Sequence, residues 1–192
     1  MPESQPTSAE AAVNPSQYDR SVILRNGTAV RVRAVRPDDK VRLIQLFRNL
    51  EKRSIYSRFL YDKRELSPED LQLVAEVNFE TDVTLVATIE EDEEEFIIGV
   101  GRFSVIEDPA RPRRAEIAFT VREDYHNQGM AGMLLRHLSE IAARMKIGYF
   151  EADVLGDNRG MLKVFQKSGL PIKTSFRNNI VHVTIALDQM TM

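Results

Sequence analysis

The stretch Tyr125-His126-Asn127-Gln128-Gly129-Met130-Ala131-Gly132-Met133 places two glycines and an alanine within four positions, and a helical apolar pattern follows it. Small residues let a backbone approach a ligand closely. The first four amides of a helix lack internal partners, and the helix dipole adds partial positive charge there. Such a turn can hold a pyrophosphate on main-chain N–H groups, or it can be only a tight strand-to-helix connection. Two familiar phosphate folds fit poorly. A P-loop requires Gly-Lys-Ser/Thr, and a dinucleotide fold places its glycine turn after the first strand rather than late in the chain. Upstream lies Glu116, the lone acid of Ala115-Glu116-Ile117-Ala118-Phe119. A carboxylate in an apolar strand is either a solvent-facing or salt-bridged group or a general base.

The chain contains no cysteine, which removes thiol nucleophiles, disulfides, zinc fingers and iron–sulfur clusters together. Its three histidines, His126, His137 and His182, have no close helical pairing, so no metal is expected. A net charge of −3 argues against nucleic acid as the main partner. No apolar run approaches the roughly 18 residues of a membrane span. The opening Met1-Pro2-Glu3-Ser4-Gln5 lacks the regions of a secretory signal, which makes the cytoplasm the expected compartment. A chain of 192 residues, 43% of them hydrophobic, can bury a core of its own. Catalysis is left to carboxylates, hydroxyls, backbone amides and a bound cofactor.

Periodicity indicates the elements that must position these groups. Residues 1–18, rich in Pro, Ser, Glu and Ala, are expected as a disordered tail before a single domain over 19–192. Asn26-Gly27 separates apolar runs at 21–24 and 28–35 and predicts a hairpin. In the second run Val30, Val32 and Ala34 alternate with Arg31, Arg33 and Val35, as in a half-buried strand. Helices are predicted from Pro37-Asp38-Asp39, over 54–61, and from Ser67-Pro68-Glu69-Asp70, which reads as a capped start. Strands at 83–89 and 96–105 flank Glu90-Glu91-Asp92-Glu93-Glu94-Glu95, an acidic run expected as a solvated hairpin loop. A strand at 115–121 follows. A helix from Gly129 to about residue 145 then carries Leu134, Leu138, Ile141 and Ala142 on one face. A strand at 149–155, a helix at 159–167 and two strands within 172–187 complete the pattern. This order implies an α/β (α+β) fold, a mixed and mostly antiparallel central sheet flanked by helices.

The glycine-rich turn resembles the acyl-CoA site of the GNAT N-acetyltransferases, whose pattern is Arg/Gln-x-x-Gly-x-Gly/Ala. Gly129 and Ala131 occupy the small positions, and His126 stands in place of the first Arg or Gln. The resemblance extends over about residues 21–187. Within it Leu24-Arg25-Asn26-Gly27, Val32-Arg33-Ala34-Val35-Arg36-Pro37-Asp38-Asp39, Ser57-Arg58-Phe59 and Glu151-Ala152-Asp153-Val154-Leu155-Gly156-Asp157-Asn158-Arg159 look like the bacterial branch related to protein lysine acetyltransferases.

The resemblance implies the GNAT fold and acetyl-CoA as acyl donor. It implies that residues from His126 through Asn127, Gln128, Gly129, Met130, Ala131 and Gly132 to Met133 cradle that donor. Phe119, Thr120 and Val121 would offer main-chain groups to its pantetheine arm, with the Val121 amide polarising the acetyl carbonyl. Glu116 stands where the lysine-acetylating branch carries its glutamate base. A base is wanted because a lysine, with a pKa of about 10.4, is protonated near neutral pH. Asn158 would contact the pantetheine or acceptor region, and its type and place also suit an N-cap. Phe165 falls where many GNAT enzymes carry a tyrosine acid. A phenyl ring donates no proton, so CoA leaves as the thiolate, or water, Tyr125 or Ser168 supplies the proton. His126, His137 and Arg136 are further candidates for the CoA phosphates, and His182 reads as structural.

The activity implied is direct acetyl transfer to a primary amine, foremost a protein lysine. A small-molecule amine acceptor and a non-catalytic CoA sensor are the alternatives. Without cysteine, no acetyl-cysteine intermediate can form. Nucleic acid and membrane are not expected partners, and monomer and homodimer both stay open.

Overall fold

The computed structural model describes residues 14–187. The hairpin around Asn26-Gly27 consists of β1 (Asp19–Ile23) and β2 (Ala29–Ala34), with Val22 opposite Val30. Three helices follow, α1 (Lys40–Arg48), α2 (Lys52–Phe59) and α3 (Pro68–Ala75). Ser67 starts α3 with a reciprocal cap: Asp70 N–H donates to its hydroxyl, and Ser67 N–H donates to the Asp70 carboxylate. A meander comes next, β3 (Asp82–Glu91), β4 (Glu94–Ile106) and β5 (Arg114–Val121). From it α4 (Met130–Arg144) crosses over to β6 (Tyr149–Leu155). The chain ends with α5 (Arg159–Gln166) and the hairpin of β7 (Ile172–Arg177) and β8 (Ile180–Ala186). The sheet order is β1-β2-β3-β4-β5-β6-β8-β7, and β5/β6 is its parallel pair. The mixed, mostly antiparallel sheet expected from the sequence is therefore present.

Each face of the sheet is covered. On one, Leu134, Leu138 and Ile141 of α4 pack against Phe103, Ile117 and Phe150. The helix comes this close because Gly101 has no side chain; a Cβ there would stand 2.8 Å from Leu138 Cδ1. On the other face, α1 and α3 cover a second cluster that includes Leu43, Leu46, Phe47, Val86 and Val100.

Several expectations change. Residues 1–13 and 188–192 lie outside the described residues, but 14–18, assigned to the same tail, are folded. Pro15–Gln17 form a 3-10 turn, and the Tyr18 ring is buried with its hydroxyl hydrogen-bonded to Nδ1 of His137. His137 is only 7% exposed, so it is neither a solvated helix residue nor a phosphate ligand. Burial holds its imidazole below the ordinary value, in the neutral form.

The half-buried pattern of β2 also breaks at Arg33, which is 1% exposed. Its guanidinium donates to both oxygens of Asp39, at 2.7 and 2.8 Å, and to both of Glu95, at 2.9 and 2.7 Å. Glu95 therefore leaves the solvated loop to which the acidic run assigned it. The strands extend through that run and leave Asp92 and Glu93, both at positive φ, as the turn. Hydrogen bonding to Arg33 holds the Glu95 carboxyl down at about 2. Its stabilising contribution is thus complete above the ordinary carboxylate pKa and is lost as pH falls from there toward about 2. Replacing Asp39 with Ala strips a partner from a buried guanidinium. The expected loss is about 3–5 kcal/mol of unfolding free energy, read as a lower urea midpoint at unchanged m-value. A loss below about 0.5 kcal/mol, the level of an ordinary surface substitution, would show that the pair is not structural.

Candidate active site

The parallel pairing of β5 with β6 runs from Arg114 opposite Tyr149 to Glu116 opposite Glu151, and then the strands part. Along its other edge β5 stays paired with β4 as far as Val121 opposite Gly99, and Arg122 N–H donates to Ile98 O. Antiparallel ladders bond alternate residues. The amides of Thr120 and Arg122 therefore turn toward β4, while those of Phe119 and Val121 turn into the gap that β6 vacates. The family resemblance implies main-chain groups from Thr120 as well as from Phe119 and Val121, but Thr120 faces β4. Its amide is spent in the sheet, and only the rest of the residue lines the cleft.

A 3-10 turn, Glu123–Tyr125, leads from β5 toward α4. Asn127 at φ 61° and Gly129 at φ 89° bend the chain into the helix. Among the described residues, the amides from Asn127 to Gly132 have no hydrogen-bond partner. The ends of the predicted cradle behave differently. Met133 N–H donates to Gly129 O and His126 N–H to Glu123 O, so neither amide is free. The His126 ring is occupied too, its Nε2–H donating to Val121 O at 2.9 Å. His126 thus braces the end of β5 against the turn. The side chains of Met130 and Met133 are buried in the core, which leaves Met130 only its amide to offer.

Gap and turn open on a cleft of about 1210 Å³. Glu116 lines it, exposed, and among the described residues no hydrogen bond or ion pair engages its carboxylate. Arg58 of α2 lines the same cleft and makes no ion pair among the described residues. Burial and then the like charge of Arg102 lower the pKa of its guanidinium, while the Glu116 carboxylate acts in the opposite sense. A desolvated cation therefore sits within the electrostatic reach of Glu116. In the sequence, Arg58 carries no signal beyond its place in the family-like segment Ser57-Arg58-Phe59. Nothing local in that segment signals that α2 lies against β5.

Asn158 caps α5, accepting from Met161 N–H at 3.1 Å, and also lines the cleft. Phe165 is 1% exposed and packs beside Phe119, with ring centroids 6.3 Å apart. The Ser168 hydroxyl donates to Phe165 O and accepts from Leu170 N–H, which ties it into the turn after α5. Tyr125 and Arg136 line the cleft, whereas His182 bonds Asp153 across the β6/β8 pair. Among the described residues, no group of three or more acids and histidines is arranged to hold a metal. No helix of the described residues is long and apolar enough to cross a membrane.

Comparison with known proteins decides the family. The profile of the GNAT acetyltransferase domain matches residues 29–171, from β2 across the meander, the turn and the crossover. The chain belongs to the GNAT acetyltransferase family. As a GNAT acetyltransferase it is an N-acetyltransferase that uses acetyl-CoA as donor. It is 30% identical over 138 residues to an acetyltransferase of Pseudomonas aeruginosa, a match covering 72% of each chain. The GNAT domain of S. lividans PAT has a TM-score of 0.79 at 31% identity, covering 88% of this acetyltransferase and 96% of that domain. A cAMP-binding acyltransferase from Mycobacterium smegmatis has a TM-score of 0.59 at 25% identity, covering 91% of this chain and 50% of that one.

Proposed function

We propose that this acetyltransferase passes acetyl directly from acetyl-CoA to a lysine side chain on a protein, with Glu116 as general base. The observation that carries the reading is Glu116 itself, an unpaired carboxylate exposed in a broad cleft on the strand that borders the β5/β6 gap. Small-molecule sites bury most of their ligand. Here the carboxylate stays open to a long side chain reaching in from a large body.

The donor diphosphate rests on the free amides between Asn127 and Gly132. Pantetheine runs along the gap beside Phe119 and Val121, with the buried Phe165 ring as part of its apolar wall and Asn158 at its flank. Val121 N–H donates to the acetyl oxygen as it becomes negative. The lysine ammonium loses its proton to Glu116, and the neutral nitrogen attacks the thioester carbon. The C–S bond breaks, and CoA leaves as the thiolate, which needs no protein acid in place of the missing tyrosine. The products are acetyl-lysine and CoA, and Glu116 returns its proton to solvent. Glu116 and Val121 are five residues apart, about 16 Å along a strand. A single glutamate does not span that distance, so the proton crosses on water within the cleft.

The test is to incubate the protein with labelled acetyl-CoA and a cell lysate, then separate protein-bound from small-molecule label. Label on protein lysine is the expected result. Label confined to small molecules would replace the acceptor with a free amine, and label in neither fraction would remove both acceptors.

A further inference from the structure

We infer that Arg25 is a donor-binding residue whose guanidinium closes over the glycine turn and pairs with the diphosphate of acetyl-CoA. The inference rests on the placement of that diphosphate on the amides from Asn127 to Gly132.

Arg25 stands in the turn between β1 and β2, held in shape by Leu24 N–H to Thr28 O at 2.9 Å and Gly27 N–H to Leu24 O at 3.0 Å. From there Arg25 N–H donates to Gln128 O at 3.4 Å, which ties the hairpin turn to the start of α4. The side chain then lies over Gly129. Its Nε and Cζ are 3.5 and 3.8 Å from the point where a Cβ of residue 129 would stand. The side chain is exposed, lines the cleft and makes no ion pair among the described residues. Its neighbour Arg31, on the same hairpin, is by contrast bonded to Asp19.

A guanidinium without a carboxylate thus stands on a run of amides without acceptors, and both lack the same kind of partner, an anion. The planar fork of arginine matches phosphate oxygens two at a time. The chain carries a net charge of −3, so a cradle of amides alone would draw a polyanionic donor against the field of an acidic protein. Arg25 supplies positive charge at the point of contact. Backbone bonds hold the hairpin turn without help from this side chain, so its removal tests ligand pairing rather than folding.

The experiment titrates the full chain and its Arg25→Gln variant calorimetrically with acetyl-CoA and with acetyl-dephospho-CoA, which keeps the diphosphate and lacks the 3′-phosphate. The variant should bind both about tenfold more weakly, with unchanged thermal midpoint and a shallower dependence on salt. Arg25→Lys should recover part of the loss. Wild-type affinity for both donors would overturn the inference, as would a loss confined to acetyl-CoA, which would move Arg25 to the 3′-phosphate. If the unaltered protein bound neither donor, the cradle on which the inference rests would fall instead.

Discussion

Glu116→Gln should bind acetyl-CoA with unchanged affinity and lose about 10²–10⁴-fold in kcat between pH 7 and 8. The amide keeps the size and the hydrogen-bonding reach of the glutamate but takes no proton at these pH values. Structure should be unaffected. The Glu116 carboxylate is exposed and has no partner among the described residues, so the substitution should shift stability by no more than about 0.5 kcal/mol. A loss of rate in this variant would therefore report on chemistry alone. Turnover close to the unaltered protein in this range would remove Glu116 from the reaction.

Gly129→Val should weaken donor binding by on the order of 100-fold or more, equivalent to about 2.7 kcal/mol. Gly129 sits at φ 89°, a conformation that a β-branched residue adopts only under strain. A Cβ there would meet Arg25 only at ordinary contact distance, so the backbone conformation carries the cost. Relief of that strain moves the amides that follow Gly129, and these are the groups placed against the diphosphate. The strain is local, of order 1–3 kcal/mol, and should leave the sheet and α4 intact by circular dichroism. Unchanged affinity in a folded variant would contradict the cradle.

What could be read from the sequence was whatever a few adjacent residues determine. Asn26-Gly27 set a hairpin, Ser67-Pro68-Glu69-Asp70 a capped helix start, and Gly129 the turn into α4. Two residues reversed their expected surroundings because distant partners buried them. Arg33 went inside on account of Asp39 and Glu95, and His137 on account of Tyr18. Within the site, residue types were legible but the occupancy of each amide was not. Thr120 and Val121 differ only in the parity of a ladder that depends on the register of β4. His126 and Met133 spend their amides inside the turn, and no composition signal separates them from Asn127 or Ala131. Arg25 and Arg58 reach the cleft from elements whose approach to it is set by the fold, far from the motifs that marked the site.

The role of Glu116 is tested most directly by the ratio of unaltered to Glu116→Gln kcat, measured with the identified acceptor from pH 7 to pH 10. Without a base, the variant depends on amine already neutral in solution. Its rate should rise about tenfold per pH unit until the lysine pKa of about 10.4 is approached. The unaltered protein draws the proton off within the complex and does not share that dependence. The ratio is therefore expected to be largest at pH 7 and to shrink by orders of magnitude toward pH 10. A ratio that stays constant across the range, or close to one throughout it, would contradict Glu116 as the base.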